Sequence, residues 1–459
     1  MLLIISAIVT LIITAIAGYL GKIKVKNSKD FIAAGNKLGV VGVTSMLMGS
    51  IIGGASTVGT AQMAYKRGFA AIWFIIGLSA ASILLGLIYS KQLDKKNNET
   101  IPQIIGNTYG KNTRTVSSIL LSLGMFIHIN GQIIACMALF STVFGIDTIK
   151  TAFIVVTLLV IYVVFGGFWG GTMVGAVKTV LLYSTTIICG AILIFKFNGI
   201  NEIKTFFPHE PWFNLFSGGI FSDLGSAIST IVGVLSTQTY FQSIMSGKNS
   251  TVSKLSSYLV AFLVFPIGII CTLIGMYMKI HYPNITPSEA FPLFLINYLN
   301  PVLGGVSIST VLISSIATGA GLTLGVSTMF TRDIYKELIN KNASDKKQIF
   351  VLQIVIILIG LLTFLIVIHN DDSMILDWGF ISMVFRAAPI FVPVTAAIFF
   401  EDKINHKVGL YSVIVGPFAA TVWILLGFEK LSSIYIALAS SLIVLFLSLR
   451  KSKENLLNS

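Results

Sequence analysis

Apolar runs of about twenty residues, each closed by a short polar or basic stretch, recur from Leu2 to Leu449. A helix rising 1.5 Å per residue crosses the hydrocarbon core of a bilayer in about twenty residues, so each run is long enough to span. The pattern predicts an all-α polytopic membrane protein of about thirteen helices, near residues 2–21, 39–64, 70–90, 117–144, 151–166, 172–195, 221–243, 255–278, 302–329, 349–369, 375–400, 408–427 and 432–449. The longest polar stretches, 91–116, 197–220, 280–301 and 330–348, are too short to hold a core of their own. Residues 1–449 therefore form a single transmembrane domain, followed by a basic cytoplasmic tail at 450–459. Segments 202–220 and 283–300 read as outward loops containing short interfacial helices.

Two spans interrupt the apolar pattern. In the second, Gly49-Ser-Ile-Ile-Gly-Gly-Ala-Ser-Thr57 is the poorest helix-forming run of the stretch, which predicts an unwound turn at mid-membrane. Freed backbone groups are tolerated at that depth only beside protein or a watery cavity, so the turn marks a ligand or ion site. The seventh span carries a similar run of small and hydroxyl residues over 225–240. These two helices open two five-helix units, about 39–196 and 221–400, and an odd number of helices per unit gives the units opposite orientations. The helices at 2–21, 408–427 and 432–449 flank this inverted pair. Close packing of small residues is the competing explanation for either run alone.

Composition agrees with the class: 55% of residues are hydrophobic, 11% are charged, and the mean hydropathy is +0.89. A net charge of +13 would point to nucleic acid in a soluble protein. Here the basic residues concentrate in loops at 22–37, 91–114, 248–254, 332–347 and 403–407 and in the tail, which places the N-terminus outside and the C-terminus in the cytoplasm. The first apolar segment lacks a basic start and a small-residue cleavage site and reads as a retained helix. Cys136, Cys189 and Cys271 all fall inside spans, which speaks against a disulfide framework or metal site. No phosphate loop, metal-ligand cluster or nucleophile–base pair is visible, so an enzyme is not expected and no cofactor is called for.

Ser327-Thr328-x-Phe330-Thr331-x-Asp333-Ile334-Tyr335-Lys336 closes the ninth span, and with it the chain resembles the sodium:solute symporter family. Further matching segments are Lys29-Asp30-Phe31-Ile32-Ala33-Ala34-Gly35-Asn36 with Leu38, the Gly59–Gly68 run with Tyr65, Gly166-Gly167, and Tyr240-Phe241-Gln242 leading to Gly247-Lys248. The resemblance implies a leucine-transporter-like core and secondary active uptake of a small solute, sodium-coupled by family default. It also implies a sodium site at Gly49 and Ile52 on the second helix and at Ser314, Ala317 and Thr318 on the ninth. Ser56, Thr57, Thr237, Gln238 and Tyr240 lie beside the two breaks, where the resemblance places substrate contacts and an inner aromatic gate.

The chain departs from that pattern at two places. Position 317, which in the family usually offers a hydroxyl, is alanine, and after Gly166-Gly167 the family's Asp and Gln are replaced by Gly175 and Lys178. One reading has the Lys178 ammonium replace the sodium ion, giving a sodium-independent, proton-coupled carrier or exchanger; the other has Lys178 snorkel to the headgroups. Arg386, near the middle of the eleventh span, costs about 2.5–3.5 kcal/mol to insert and should face the bundle. Its partner is either a carboxylate on the solute, which its planar fork suits, or carbonyls of a neighbouring helix. His128 is a proton-relay candidate or a hydrogen-bonded structural histidine, and Gln132, one turn on, is placed to line the cavity.

The expected partners are a small-molecule solute, possible sodium ion or proton, and the lipid bilayer, with no nucleic acid. A prokaryotic plasma membrane is the expected location. A non-transporting membrane sensor is the rival class, and nothing in the sequence supplies an output module for it.

Overall fold

The computed structural model describes residues 1–22, 32, 34–91, 98–196, 198–371, 373–400, 406–428 and 431–457. Of the expected sequence features, Lys29, Asp30, Phe31 and Ala33 of the first loop motif, the basic residues Lys24, Lys26, Lys95, Lys96 and Lys403, and the last two residues of the tail lie outside the described residues.

Among the described residues the architecture is helical throughout, with one isolated parallel bridge between Leu38 and Gly247. The main elements are α1 (Leu2–Lys22), α2 (Val40–Ile51), α3 (Thr60–Arg67), α4 (Trp73–Ile88), α5 (Ile101–Tyr109), α6 (Lys111–Phe144), α7 (Thr148–Ala191), α8 (Ile220–Leu235), α9 (Gln238–Met245), α10 (Ser250–His281), α11 (Ala290–Tyr298), α12 (Pro301–Met329), α13 (Asp345–Val367), α14 (Ile375–Phe399), α15 (His406–Leu425) and α16 (Ser433–Leu457). Nine described helices are long and apolar enough to cross a membrane, and the bent pair α8–α9 makes a tenth span. Three shorter apolar helices, Val40–Ile51, Thr148–Val164 and Ser433–Leu447, accompany them.

Several expected boundaries move for local reasons. The helix expected at 117 starts at Lys111, because Gly110 at φ 91 ends α5 and a polar first turn follows that hydropathy does not register. The helices expected at 151–166 and 172–195 are present as two limbs, Thr148–Val164 and Gly167–Phe195, which meet at a kink in α7 at Gly167, whose φ of 52 and ψ of −155 favour a glycine. The helix expected to end at 329 continues as a π-helical turn over Phe330–Ile339, and α16 carries the C-terminal segment in helix as far as Leu457. The segments expected as outward loops contain short helices, at Gly199–Phe206, His209–Trp212 and Ala290–Tyr298.

Packing ranks the helices by depth. In α12, rich in Gly, Ala, Ser and Thr, 83% of the apolar window is buried, against 17% in α1. Small side chains let backbones approach, and α12 contacts α1, α2, α6, α7 and α9. Around this axis α14 lies against α6 and α8, α10 against α4, and α15 against α16.

Candidate functional site

The first break lies at Ile52–Gly54. Ile52 turns extended (φ −90, ψ 114) and stops α2, and helix resumes as a π turn at Ala55–Gly59 running into α3. Only glycine fits there: a Cβ on Gly53 would stand 2.4 Å from Gln132 Oε1, and one on Gly54 2.2 Å from the Ala135 Cβ. The local donors are met from side chains. Gly53 N–H donates to Ser56 Oγ (2.9 Å), Gly54 N–H donates to Gln132 Oε1 (2.7 Å), and the Thr57 hydroxyl donates to Gly53 O (2.9 Å). The carbonyls of Gly49 and Ile52 are left pointing out of the helix.

Lys178 fills the space they face. Its Nζ donates to Gly49 O (2.7 Å), Ser314 O (3.0 Å) and Thr318 Oγ1 (3.3 Å), and also to Ile52 O. Thr318 Oγ1 lies 3.1 and 2.9 Å from the same two carbonyls, and the Ser314 hydroxyl donates to Ile52 O at 3.0 Å. The reach depends on Gly175, where a Cβ would meet Ser45 O at 2.3 Å and hold α7 away from α2. Ala317 presents a methyl group one residue from Thr318. Lys178 is 1% exposed, so the snorkelling reading is set aside: the ammonium is oriented into the bundle. A buried ammonium needs oxygen partners to offset its lost hydration, and four are present.

The second break falls at Ser236–Thr237, three residues beyond Gly233, and bends α8 against α9 by 51°. Thr237 is extended (φ −95, ψ 120), and its hydroxyl donates to Gly233 O (2.6 Å). Arg386 on α14 reaches this break. Its Nη1 donates to Thr237 Oγ1 (2.7 Å), its Nε to Ser382 O (3.3 Å) and its Nη2 to Met383 Sδ (2.9 Å), and the guanidinium also interacts with the Tyr240 hydroxyl. Arg386 is 0% exposed and faces the bundle as expected. Gln238 is committed elsewhere: its amide bridges Ile101 N–H (2.8 Å) and Glu99 O (2.9 Å), tying the second break to α5. The halves α2 and α9 touch one another, and Leu38 bonds Ser246 and Lys248 beside them.

His128, Asn130 and Gln132 lie on α6 between the breaks. Gln132 Nε2 is 3.0 Å from His128 Nε2, Asn130 Nδ2 donates to Phe126 O (3.2 Å), and His128 Nδ1 and Asn130 Oδ1 are buried with no hydrogen-bond partner among the described residues.

Sequence reasoning missed a charged cluster at the end of the bundle where α12 finishes. Asp333 of the signature is fully buried and accepts from Arg114 Nε (2.9 Å) and Thr100 Oγ1 (3.0 Å), with Arg114 Nη2 at 2.8 Å. Arg114 also pairs with Glu337 (3.2 Å), and Arg332 with Glu99 (2.7 Å). The signature itself was the available signal, but its partners lie more than two hundred residues away in sequence.

Interrupted helices with freed carbonyls and buried cations at their breaks are the architecture of a membrane transporter, and a polytopic helical transporter is the class this fold defines. The model of the Sodium:solute symporter family matches residues 31–416, and the chain belongs to that family. It is 22% identical over 427 residues to the high-affinity proline transporter PutP of Bacillus subtilis, covering 88% of this chain and 89% of that one. It is 24% identical over 359 residues to the human high affinity choline transporter 1, covering 73% of this chain and 61% of the relative. Among solved structures it superposes on a Na+-coupled sialic acid symporter in a substrate-bound outward-open state, with TM-score 0.82, 17% identity and 99% and 98% of the two chains covered. It also matches MhsT in complex with L-phenylalanine (TM-score 0.58, 16% identity, 89% and 98% covered). The relatives are transporters, and the chain is not an enzyme.

Proposed function

We propose that the chain is an alternating-access carrier of a small solute in which the Lys178 ammonium stands where the family default would bind sodium. The observation that carries this reading is the set of four oxygens around Nζ, from Gly49, Ile52, Ser314 and Thr318. A sodium ion does not fit the same position: its oxygens are already engaged by a fixed cation, and Ala317 withholds a further ligand. Lys178 gains and loses a proton during the cycle, so the carrier is sodium-independent and proton-coupled.

In this reading 39–196 and 221–400 are the two inverted five-helix repeats, with 2–21, 408–427 and 432–449 flanking them. With the short apolar helices counted, thirteen spans place the N-terminus outside and the C-terminus in the cytoplasm, in a prokaryotic plasma membrane. Ser56, Thr57, Gln132, Thr237, Tyr240 and Arg386 border the solute site. The cluster around Asp333 closes its cytoplasmic end. His128 serves as a hydrogen-bonding group of the site, since its only described partner is Gln132.

The test is uptake by proteoliposomes of a labelled mixture of amino acids and small organic acids, with external sodium replaced by potassium across a pH series. Uptake should persist without sodium and rise with an inward proton gradient. A strict sodium requirement would overturn the reading.

A further inference from the structure

The polar groups between the two breaks have a direction. Gly54 N–H is a donor and fixes Gln132 Oε1 as its acceptor, so the other end of that amide, the NH2 group, faces His128 Nε2. Nε2 must then accept, which places the imidazole proton on Nδ1. That Nδ1–H is buried, and among the described residues it has no acceptor.

Arg386 is hydrogen-bonded but has no described counter-charge. Its described partners are a hydroxyl, a carbonyl, a thioether and a phenol, and none carries a negative charge. Of the acidic residues described on the long helices, Asp223, Asp345 and Asp377 lie in first turns, Asp333 and Glu337 lie in the π turn after α12, and Glu454 lies in the last turn of α16. The middle of the bundle therefore holds two cationic side chains, Lys178 and Arg386, and no described carboxylate.

The imidazole and the guanidinium are neighbours. The Ser382 hydroxyl donates to Gly124 O at 2.6 Å, and a Cβ on Gly124 would stand 2.9 Å from Arg386 Cγ, so this level of α6 abuts Arg386. One turn further along α6 lies His128, facing Gly379, which is itself one turn from Ser382 and Met383 on α14. One helical turn, about 5.4 Å, separates Gly124 from His128 along α6, and the His128 ring interacts electrostatically with Arg386. Gly379 lies directly against the imidazole: a Cβ there would come into ordinary contact with Phe74 at 3.6 Å and His128 at 3.7 Å, so a methyl group at 379 would crowd the Nδ1 side of the ring.

We infer that the transported solute carries a carboxylate, received jointly by the Arg386 guanidinium and the His128 Nδ1–H. Cations without an acidic group, such as choline, are rejected by the two fixed positive charges. A buried N–H with no described acceptor beside a buried guanidinium whose described partners are all neutral calls for an acceptor-only anion. The inference rests on the carrier part of the proposed function and not on sodium independence. It is tested by binding alone, without ion gradients or turnover, so its failure and a failure of the sodium experiment are separately visible.

The experiment measures thermal stabilisation of the full-length protein in detergent by a panel of small solutes. Each carboxylate is paired with its amide or alcohol, glycine betaine against choline and L-proline against L-prolinamide among them. At least one carboxylate should stabilise the protein at tenfold or more lower concentration than its partner. Arg386→Gln should abolish that difference, and Arg386→Lys should restore part of it. Because Arg386→Gln risks misfolding, Gly379→Ala is the second variant. It should keep or raise the melting temperature of the free protein while weakening carboxylate binding at least fivefold. Stabilisation by solutes without a carboxylate, unchanged binding in both variants, or no response to any carboxylate of the panel would each overturn the inference.

Discussion

Replacing Lys178 by alanine and Ala317 by serine in the same chain should convert a sodium-indifferent protein into one that sodium stabilises. The lysine's three N–H groups are shared among Gly49, Ile52, Ser314 and Thr318, and each full charge-assisted hydrogen bond is worth about 1.5–3 kcal/mol before desolvation is counted. Its removal does not strand the carbonyls, because the Thr318 and Ser314 hydroxyls stay within 3.1 Å of them. Lys178→Ala alone should therefore cost about 2–3 kcal/mol, less than the 3–5 kcal/mol typical of an orphaned buried charge. The double variant leaves four oxygens and adds a fifth, the hydroxyl at position 317, a set that suits a small hard cation. With a Kd of about 10 mM, sodium at about 150 mM would return about 1.6 kcal/mol through mass action. The assay is the melting temperature of purified protein in sodium against potassium at equal ionic strength. A wild-type protein stabilised by sodium as much as the double variant would refute the reasoning, because the lysine would then not be occupying the ion's place.

Two other substitutions probe the supports of the site. Asp333→Asn keeps the hydrogen bond from Thr100 but removes the charge that faces Arg114; it should weaken the closed end of the bundle by about 3 kcal/mol and raise labelling of a cysteine introduced at Gly247, measured by maleimide reaction in membranes. Gln132→Leu strips the acceptor from Gly54 N–H and should cost about 1–3 kcal/mol in thermal stability, whereas Gln132→Glu, which keeps an acceptor at that point, should cost less.

The break in the second helix was legible because Gly53-Gly54 followed by Ser-Thr is both a poor helix and a ready set of local acceptors, and Ser56 and Thr57 do serve the freed backbone. Lys178 was legible for a different reason: an ammonium where an ion is expected, one turn past a glycine, had few places to go. The sequence left its direction open, because snorkelling and inward reach differ only in the rotation of α7 about its axis. Gln238 shows the limit of reading along the chain. It lies beside the second break, as expected, yet its side chain is spent on Glu99 and Ile101, over a hundred residues away. The Asp333 cluster was equally hidden, since its partners meet only after α5, α6 and the turn beyond α12 have packed. Periodicity reports the face a helix buries, while pairings between helices depend on tilt and rotation that no local pattern encodes.

A tethered cation changes how the site must work. A diffusible ion bridges α2 and α12 when bound and releases them by leaving, so the gradient of that ion drives the cycle. In the proposed reading the bridge is covalently fixed to α7, and the only part able to leave is a proton. Loss of that proton leaves two Nζ donors for the three carbonyls of Gly49, Ile52 and Ser314, and the new lone pair can be met only by the Thr318 hydroxyl, which must then turn away from the Gly49 and Ile52 carbonyls. The contacts weakened are those that hold α2 to α7 and α12, and α2 is also the partner of α9, which leads through Gln238 to Glu99 and from there to Arg332. A local change at Nζ thus acts on the same half-helices that close the bundle at the Asp333 end. This is the mechanical effect that ion release would have had, obtained without an ion.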